Sequence, residues 1–156
     1  MGVKINIVQK QEDAAVVSSA PGAKIKQEEL DEFLAVLSDP QVYRDPKRLA
    51  EFFSDDALIV CEFPGKIASK KEHIFTKGRF IHFLDQWREA MLGYSVVRKS
   101  RQEIVGKDGN AYVTSQAEET FGMFGVGLVQ PIEEHAAIQR DGQGRLRITN
   151  YEVFLR

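Results

Sequence analysis

The last third of the chain, from about Tyr94 to Arg156, reads as four strands in succession with no helix-like segment between them. Tyr94 to Val105 ends at Lys107-Asp108-Gly109-Asn110, where Asp-Gly favours a hairpin turn. Ala111 to Phe121 forms the second strand, and Gly122, Gly125, Gly127 and Pro131 make the next connection loose and prone to a bulge. Ile132 to Gln139 turns at Asp141-Gly142-Gln143-Gly144, and Leu146 to Leu155 closes the chain. Strands joined by short turns pair antiparallel. A long antiparallel meander that follows helices is an α+β order, in which one curled sheet closes over the helices.

The preceding residues supply those helices. Leu30, Phe33, Leu34 and Leu37 fall at i, i+3, i+4 and i+7, which predicts a helix from about Lys26 to Ser38. Asp39-Pro40 ends it, because the residue before a proline is pushed away from helical angles. Asp45 as N-cap and Pro46 at the first helical position open a second helix. That helix presents Leu49, Phe52 and Phe53 inward and stops near Ser54. Ala57 to Phe63 is an apolar run closed by Pro64-Gly65, expected as a buried strand, with Lys66-Ile67-Ala68 as a brief pairing strand. Ser69-Lys-Lys-Glu72 has the capping-box pattern and announces a third helix carrying Phe80, Leu84, Trp87 and Met91. Gly78 is expected to bend it and Gly93 to stop it. Residues 1–23 end in the linker-like SSAPGA and read as an arm, in which Val3 to Val8 alternates as a short strand would. The expected organisation is that arm and one domain over residues 24–156.

With 156 residues, the chain is long enough for a core without staples. Its net charge of −2 argues against nucleic-acid binding, which wants a basic surface. Cys61 is the one cysteine, so no internal disulfide and no cysteine-based zinc site forms. The first residues hold no apolar run fit for a signal or a membrane span, and Asn6 breaks the myristoylation pattern; a cytoplasmic location is expected. His73, His82 and His135 lack the spacing of a helical metal motif, and FGMFGVG lacks the strand-to-helix context of a phosphate loop. Neither metal nor cofactor is expected.

This order of elements resembles the nuclear transport factor 2-like (NTF2-like) superfamily, over roughly Glu28 to Arg156. The best local pieces are LAEFFSDDALIVCEFPG (Leu49 to Gly65) and PIEEHAAIQRDGQGRLRITNYEVFL (Pro131 to Leu155). The resemblance implies a cystatin-like cone, with three N-terminal helices packed in the concave face of a curved, mainly antiparallel sheet. The superfamily contains ketosteroid isomerase and the SnoaL-like cyclases, alongside pure binding modules. Carried over from the isomerase, Glu62 falls within one position of the general base that follows Asp-Asp-Ala. Glu134, just before His135, looks like the protonated acid that serves as oxyanion donor. Phe33 takes the place of a tyrosine and has no hydroxyl, which argues against steroid isomerisation. The resemblance also implies a homodimer formed through the outer sheet face.

The residues themselves make several candidates. Glu62 lies in an apolar strand, where a carboxylate facing a cavity would be a usable general base. If Ile132, Ala136 and Ile138 face the core, Glu134 does too; in the opposite register His135 points inward. Val113, Ser115, Ala117 and Phe121 share a core-side face with Glu119, leaving Tyr112, Thr114, Gln116, Glu118 and Thr120 outside. On the last strand both alternating sets are mixed, so either Asn150 or Tyr151 lines the cavity. Arg98 could reach into the cone to an acid or an anionic ligand, and Trp87 and Phe33 would form pocket wall. His82 reads as a surface residue. These candidates fit cofactor-free isomerase, cyclase or lyase chemistry on a small hydrophobic molecule, with Glu62 or Glu134 as base. The alternative is a ligand-binding or dimeric scaffold module with no catalysis.

Overall fold

The computed structural model describes residues 22–63, 72–89, 93–123 and 126–156. Among the described residues, helices α1 (Gln27–Leu37), α2 (Pro40–Tyr43) and α3 (Pro46–Ala50) precede the sheet and α4 (Lys77–Gln86) interrupts it. Six strands follow the order β1 (Phe53–Glu62), β2 (Glu72–Thr76), β3 (Ser95–Val105), β4 (Ala111–Met123), β5 (Val126–Arg140) and β6 (Leu146–Leu155). They form one sheet in the order β2-β1-β6-β5-β4-β3. Among the described pairings the β1–β6 pair is parallel and the others are antiparallel; α4 and strands β2 to β5 lie between β1 and β6 in the chain.

The meander stands as the sequence predicts. Gly109 (φ +84°) and Gly144 (φ +80°) sit in its turns, in the left-handed region where a Cβ is strained. The stretch expected to be loose is instead strand: β4 runs to Met123 and β5 resumes at Val126, passing through Pro131. Pro131 is tolerated there because its carbonyl accepts from Arg156 N, just past the end of β6. In an antiparallel ladder a residue's N–H and C=O face the same neighbour, so the missing N–H costs β4 nothing.

The helices need more correction. Asp39 ends α1, but its side chain also accepts from Gln41 N at 2.9 Å and caps the short α2, with Pro40 at its first position. Phe53 does not belong to the second predicted helix: α3 stops at Ala50, and Phe53 opens β1 as a buried residue. Ser69 and the Lys66–Ala68 segment lie outside the described residues, as does the N-terminal arm through residue 21. Glu72, the other half of the expected capping box, is in β2 opposite Glu62. Glu72–Thr76 alternates exposed Ile74 with buried Phe75 against β1, and this pairing overrides the capping pattern. Helix α4 therefore starts at Lys77, capped by Thr76, and Gly78 lies in its first turn instead of bending it.

The core lies between the helices and the concave face. Leu30, Phe33 and Leu34 of α1 pack on Ile59, Ile132, Ile138 and Ile148 of the central strands. Arg140 closes this layer at the α1 end. Its side chain is 3% exposed, forks onto Glu29 at 2.7 and 2.6 Å, and donates to the carbonyls of Ala23, Lys24 and Gly144. Its hydrogen bond holds the Glu29 carboxyl below the usual carboxylate range, against the opposing effect of burial.

Candidate functional site

Beneath α3 and α4 the cone is hollow, with a cavity of about 180 Å³. Phe53, Phe80, Phe83, Leu49 and Ile148 make most of its wall apolar. Besides Tyr43, its polar lining includes Tyr94, Arg98, Glu119, Glu134 and Tyr151, which form two hydrogen-bonded groups.

In the first group, Arg98 reaches from β3 across β4 to Glu134 on β5. Nε donates to Oε1 at 2.9 Å and Nη2 to Oε2 at 3.1 Å, a parallel fork. The strand it crosses carries Ala117 opposite Arg98 and Ser115 opposite Glu134, side chains small enough to lie under the guanidinium. Tyr151 on β6 stands diagonally from Glu134, whose direct partner is Val153, and its hydroxyl donates to Oε2 at 2.5 Å. Glu134 is only 5% exposed, a position an acid holds because partners meet both oxygens. Burial, then the charge of Glu134, pushes the Tyr151 phenol well above its ordinary value. Burial is the largest influence on the Arg98 guanidinium and pulls it down, but the charge and hydrogen bond of Glu134 together with Tyr151 and Tyr94 outweigh it, and the net direction is up.

The second group is simpler and less balanced. Glu119 on β4 is half-buried and, among the described residues, accepts one hydrogen bond, from the Tyr94 hydroxyl at 3.0 Å. Tyr94 is itself fixed: Arg44 Nε donates to its carbonyl at 2.8 Å, and the Tyr43 ring meets its ring edge-on at 5.7 Å. Burial pushes the Glu119 carboxyl up to about 7; the Tyr94 hydrogen bond opposes this and the charge of Glu134 adds to it. Burial likewise lifts Tyr94 well above the ordinary phenol value. An acid that titrates near neutrality, facing a cavity, can both give and take a proton.

Of the residues singled out from sequence, Arg98, Glu134 and Tyr151 meet in this cavity. The others lie elsewhere. Glu62 does not line it: its Oε1 accepts from Leu155 N at 2.9 Å, so it tethers the end of β6. Phe33 is 3% exposed and packs edge-on against Phe52 in the core layer. Trp87 caps the C-terminus of α4 and leans on Phe83. His135 points to the other sheet face, bonded to Glu133 and beside the Phe154 ring. Asn150 is exposed, registered between Leu58 and Ala137. His82 is exposed on α4. Among the described residues no group of His, Cys, Asp or Glu is placed to hold a metal, and no helix is long and apolar enough to cross a membrane.

Sequence reading missed Glu119 and Tyr94 as site residues. The available signal was alternation, which puts Glu119 on the core-side face of β4 with Val113, Ser115 and Ala117.

Compared as a sequence, the chain matches no protein-family model and no curated protein. Compared as a structure, it is similar to an NTF2-like protein with a cystatin-like fold from Novosphingobium aromaticivorans (TM-score 0.61, 16% identity, 83% of this chain and 80% of that one). The chain has the nuclear transport factor 2-like fold. The same fold gives its likeness to a putative calcium/calmodulin dependent protein kinase II association domain from Xanthomonas campestris (0.67, 11% identity, 89% and 94%). It is also similar to the yeast UBP3-associated protein BRE5 (0.65, 12% identity, 85% and 98%). At such identities the NTF2-like likeness concerns architecture, and chemistry must be read from the cavity.

Proposed function

We propose that this NTF2-like protein binds a small, mostly apolar molecule in its cone and holds it against Glu119, which exchanges a proton with it. The supporting observation is that two carboxyls in one cavity have been given different surroundings. Glu134 accepts three hydrogen bonds, two of them from Arg98, and its oxygens are occupied. Among the described residues Glu119 has one partner, a phenol, and it lines the mostly apolar cavity. Two acids in one site with unequal environments are the usual division between a structural or electrostatic group and a proton carrier. The ligand's polar group would be a carbonyl, hydroxyl or amine within reach of Glu119 and the Tyr94 hydroxyl, and the chemistry an isomerisation, cyclisation or elimination without a cofactor. Compared with the sequence reading, the proton carrier moves from Glu62 or Glu134 to Glu119.

The test is a melting-shift screen of compact hydrophobic ketones and alcohols on native protein and on Glu119→Gln. Ketone hits are then held in deuterated water. Loss of the proton next to the carbonyl with native protein but not with the variant supports proton transfer. Binding without exchange reduces the reading to a ligand-binding module, and an empty screen removes the pocket role altogether.

A second reading is carried by the outer sheet face, where Val97, Ile104, Tyr112 and Val129 are each between 43% and 65% exposed. They lie as two pairs, Val97 with Val129 near one end of β3 to β5 and Ile104 opposite Tyr112 near the other, and exposed apolar patches rimmed by polar residues mark association surfaces. We propose that this face supports a homodimer, which is compatible with a ligand site on the concave side. The association domain and the UBP3-associated protein named above are relatives in fold whose names describe assembly.

A further inference from the structure

The charges that line the cavity do not cancel. Among the described lining residues, two carboxyls, Glu119 and Glu134, face it with one guanidinium, Arg98. Arg98 is already forked onto Glu134, and Tyr151 adds a third bond to the same carboxyl. Among the described residues Glu119 has the Tyr94 hydroxyl as its one partner, which donates a hydrogen bond but no charge. A ligand carboxylate would enter as a third acid in a poorly screened space whose cation is engaged, and like charges there repel strongly. A ligand ammonium would bring the charge that Glu119 lacks. The rings of Tyr43, Phe53, Phe80, Phe83 and Tyr94 line the same space, and ring faces attract cations. Size narrows the class further. A cavity of about 180 Å³ is slightly larger than the ~150 Å³ in which an apolar protein cavity takes up benzene, so it suits one ring with a short tail.

We infer that the ligand is a compact arylalkyl or alicyclic amine, its ammonium paired with Glu119 beside the Tyr94 hydroxyl and its ring among the aromatic side chains. This names a ligand class for the small-molecule site proposed above and rests on that site being real. Discrimination against carboxylates of the same shape follows from the same charges.

The pairing has a pH signature. The groups around Glu119 are Tyr94 ahead of β3, Arg98 on β3, Glu134 on β5, Tyr151 on β6 and Cys61 on β1. Burial, with the charge of Glu119 adding, pushes the Cys61 thiol up to about 12, and both phenols are also raised, so these three stay neutral between pH 6 and 8. Glu119 changes charge in that window. Amine affinity therefore rises with pH across it, by roughly tenfold from one side of the titration to the other.

The experiment is calorimetric titration of the full chain with 2-phenylethylamine, 2-phenylethanol and phenylacetate at pH 6 and pH 8. At pH 8 the amine is expected to bind about tenfold tighter than the alcohol, the effect of one charge-assisted contact, with phenylacetate weakest. At pH 6 the amine loses most of that advantage and the alcohol is unchanged. In Glu119→Gln the amine falls level with the alcohol; should that variant fail to fold, the pH pair on native protein decides alone. An alcohol that binds at least as tightly as the amine at pH 8 overturns the inference and leaves the cavity reading standing. If none of the three binds, the cavity reading fails and takes the inference with it.

Discussion

At the scale of single residues, Glu134 and Glu119 are the same side chain in one cavity and behave as different groups. Glu134 is locked by Arg98 and Tyr151, so breaking the lock is expected to cost stability. Arg98→Met should destabilise the fold by about 3 kcal/mol in chemical denaturation, because it leaves a buried acid without its cation. The double variant Arg98→Met/Glu134→Leu should recover most of the loss, since replacing both partners removes the unpaired charge. Additive losses in the double variant would contradict that account. Glu119 predicts a pH effect of definite sign. Its folded value lies above the unfolded 4.5, so the folded state binds the proton more tightly. Its contribution to stability is therefore complete below about pH 4.5 and is lost as pH rises through about 7. The loss amounts to roughly 3 kcal/mol at most. Denaturation midpoints followed between pH 4.5 and 8 should fall for native protein and fall less for Glu119→Gln.

At the scale of elements, alternation works along β4 and fails where bulges reset it. On β4 each odd-numbered residue from Val113 to Glu119 faces inward, and the sequence shows this plainly. On β3 the register shifts between Arg98 and Ser100, so Lys99 is an extra residue: Arg98 and Arg101 both lie on the inner side, opposite Ala117 and Ser115. On β6 Thr149 is the extra residue, which puts both Ile148 and Tyr151 on the cavity lining. Neither alternating set of β6 could look pure, because the strand changes face halfway. Tyr151 was therefore legible only as half of a choice with Asn150. Glu134 was legible as one of two registers, the alternative pointing His135 inward, and the burial of Ile132 and Ile138 is what decides for Glu134. Tyr94 was not, because its role depends on Tyr43 of α2 and on Arg44, which caps that helix, and the helix is hidden behind the Asp39-Pro40 stop signal. The corrected start of α4 makes its own prediction. Gly78 lies in the first helical turn, and a Cβ there meets nothing within 4 Å. Gly78→Ala should raise stability by about 0.5 kcal/mol, read as a higher melting temperature. A drop would mean that the helix needs glycine there for a bend after all.

At the scale of the whole molecule, the two sheet faces differ in what they carry. The concave face holds the core and the cavity, and the convex face carries Val97, Ile104, Tyr112 and Val129 around a polar middle that includes Glu133 and His135. Sedimentation equilibrium should report a dimer, and Val97→Asp/Ile104→Asp should report a monomer that still binds ligand in the cone. A native monomer at micromolar concentration would contradict the association role of the convex face without touching the cavity. The central claim concerns the hollow itself: it places Glu119, which has no counter-charge among the described residues, among aromatic rings. The most direct measurement is an NMR titration of the glutamate side-chain carboxyl carbons, with Glu119 assigned through its Gln variant. The account predicts a midpoint at about 7 for Glu119. A midpoint near the ordinary 4.5 would mean that water reaches this carboxyl freely, and that the cone holds no site of the kind described.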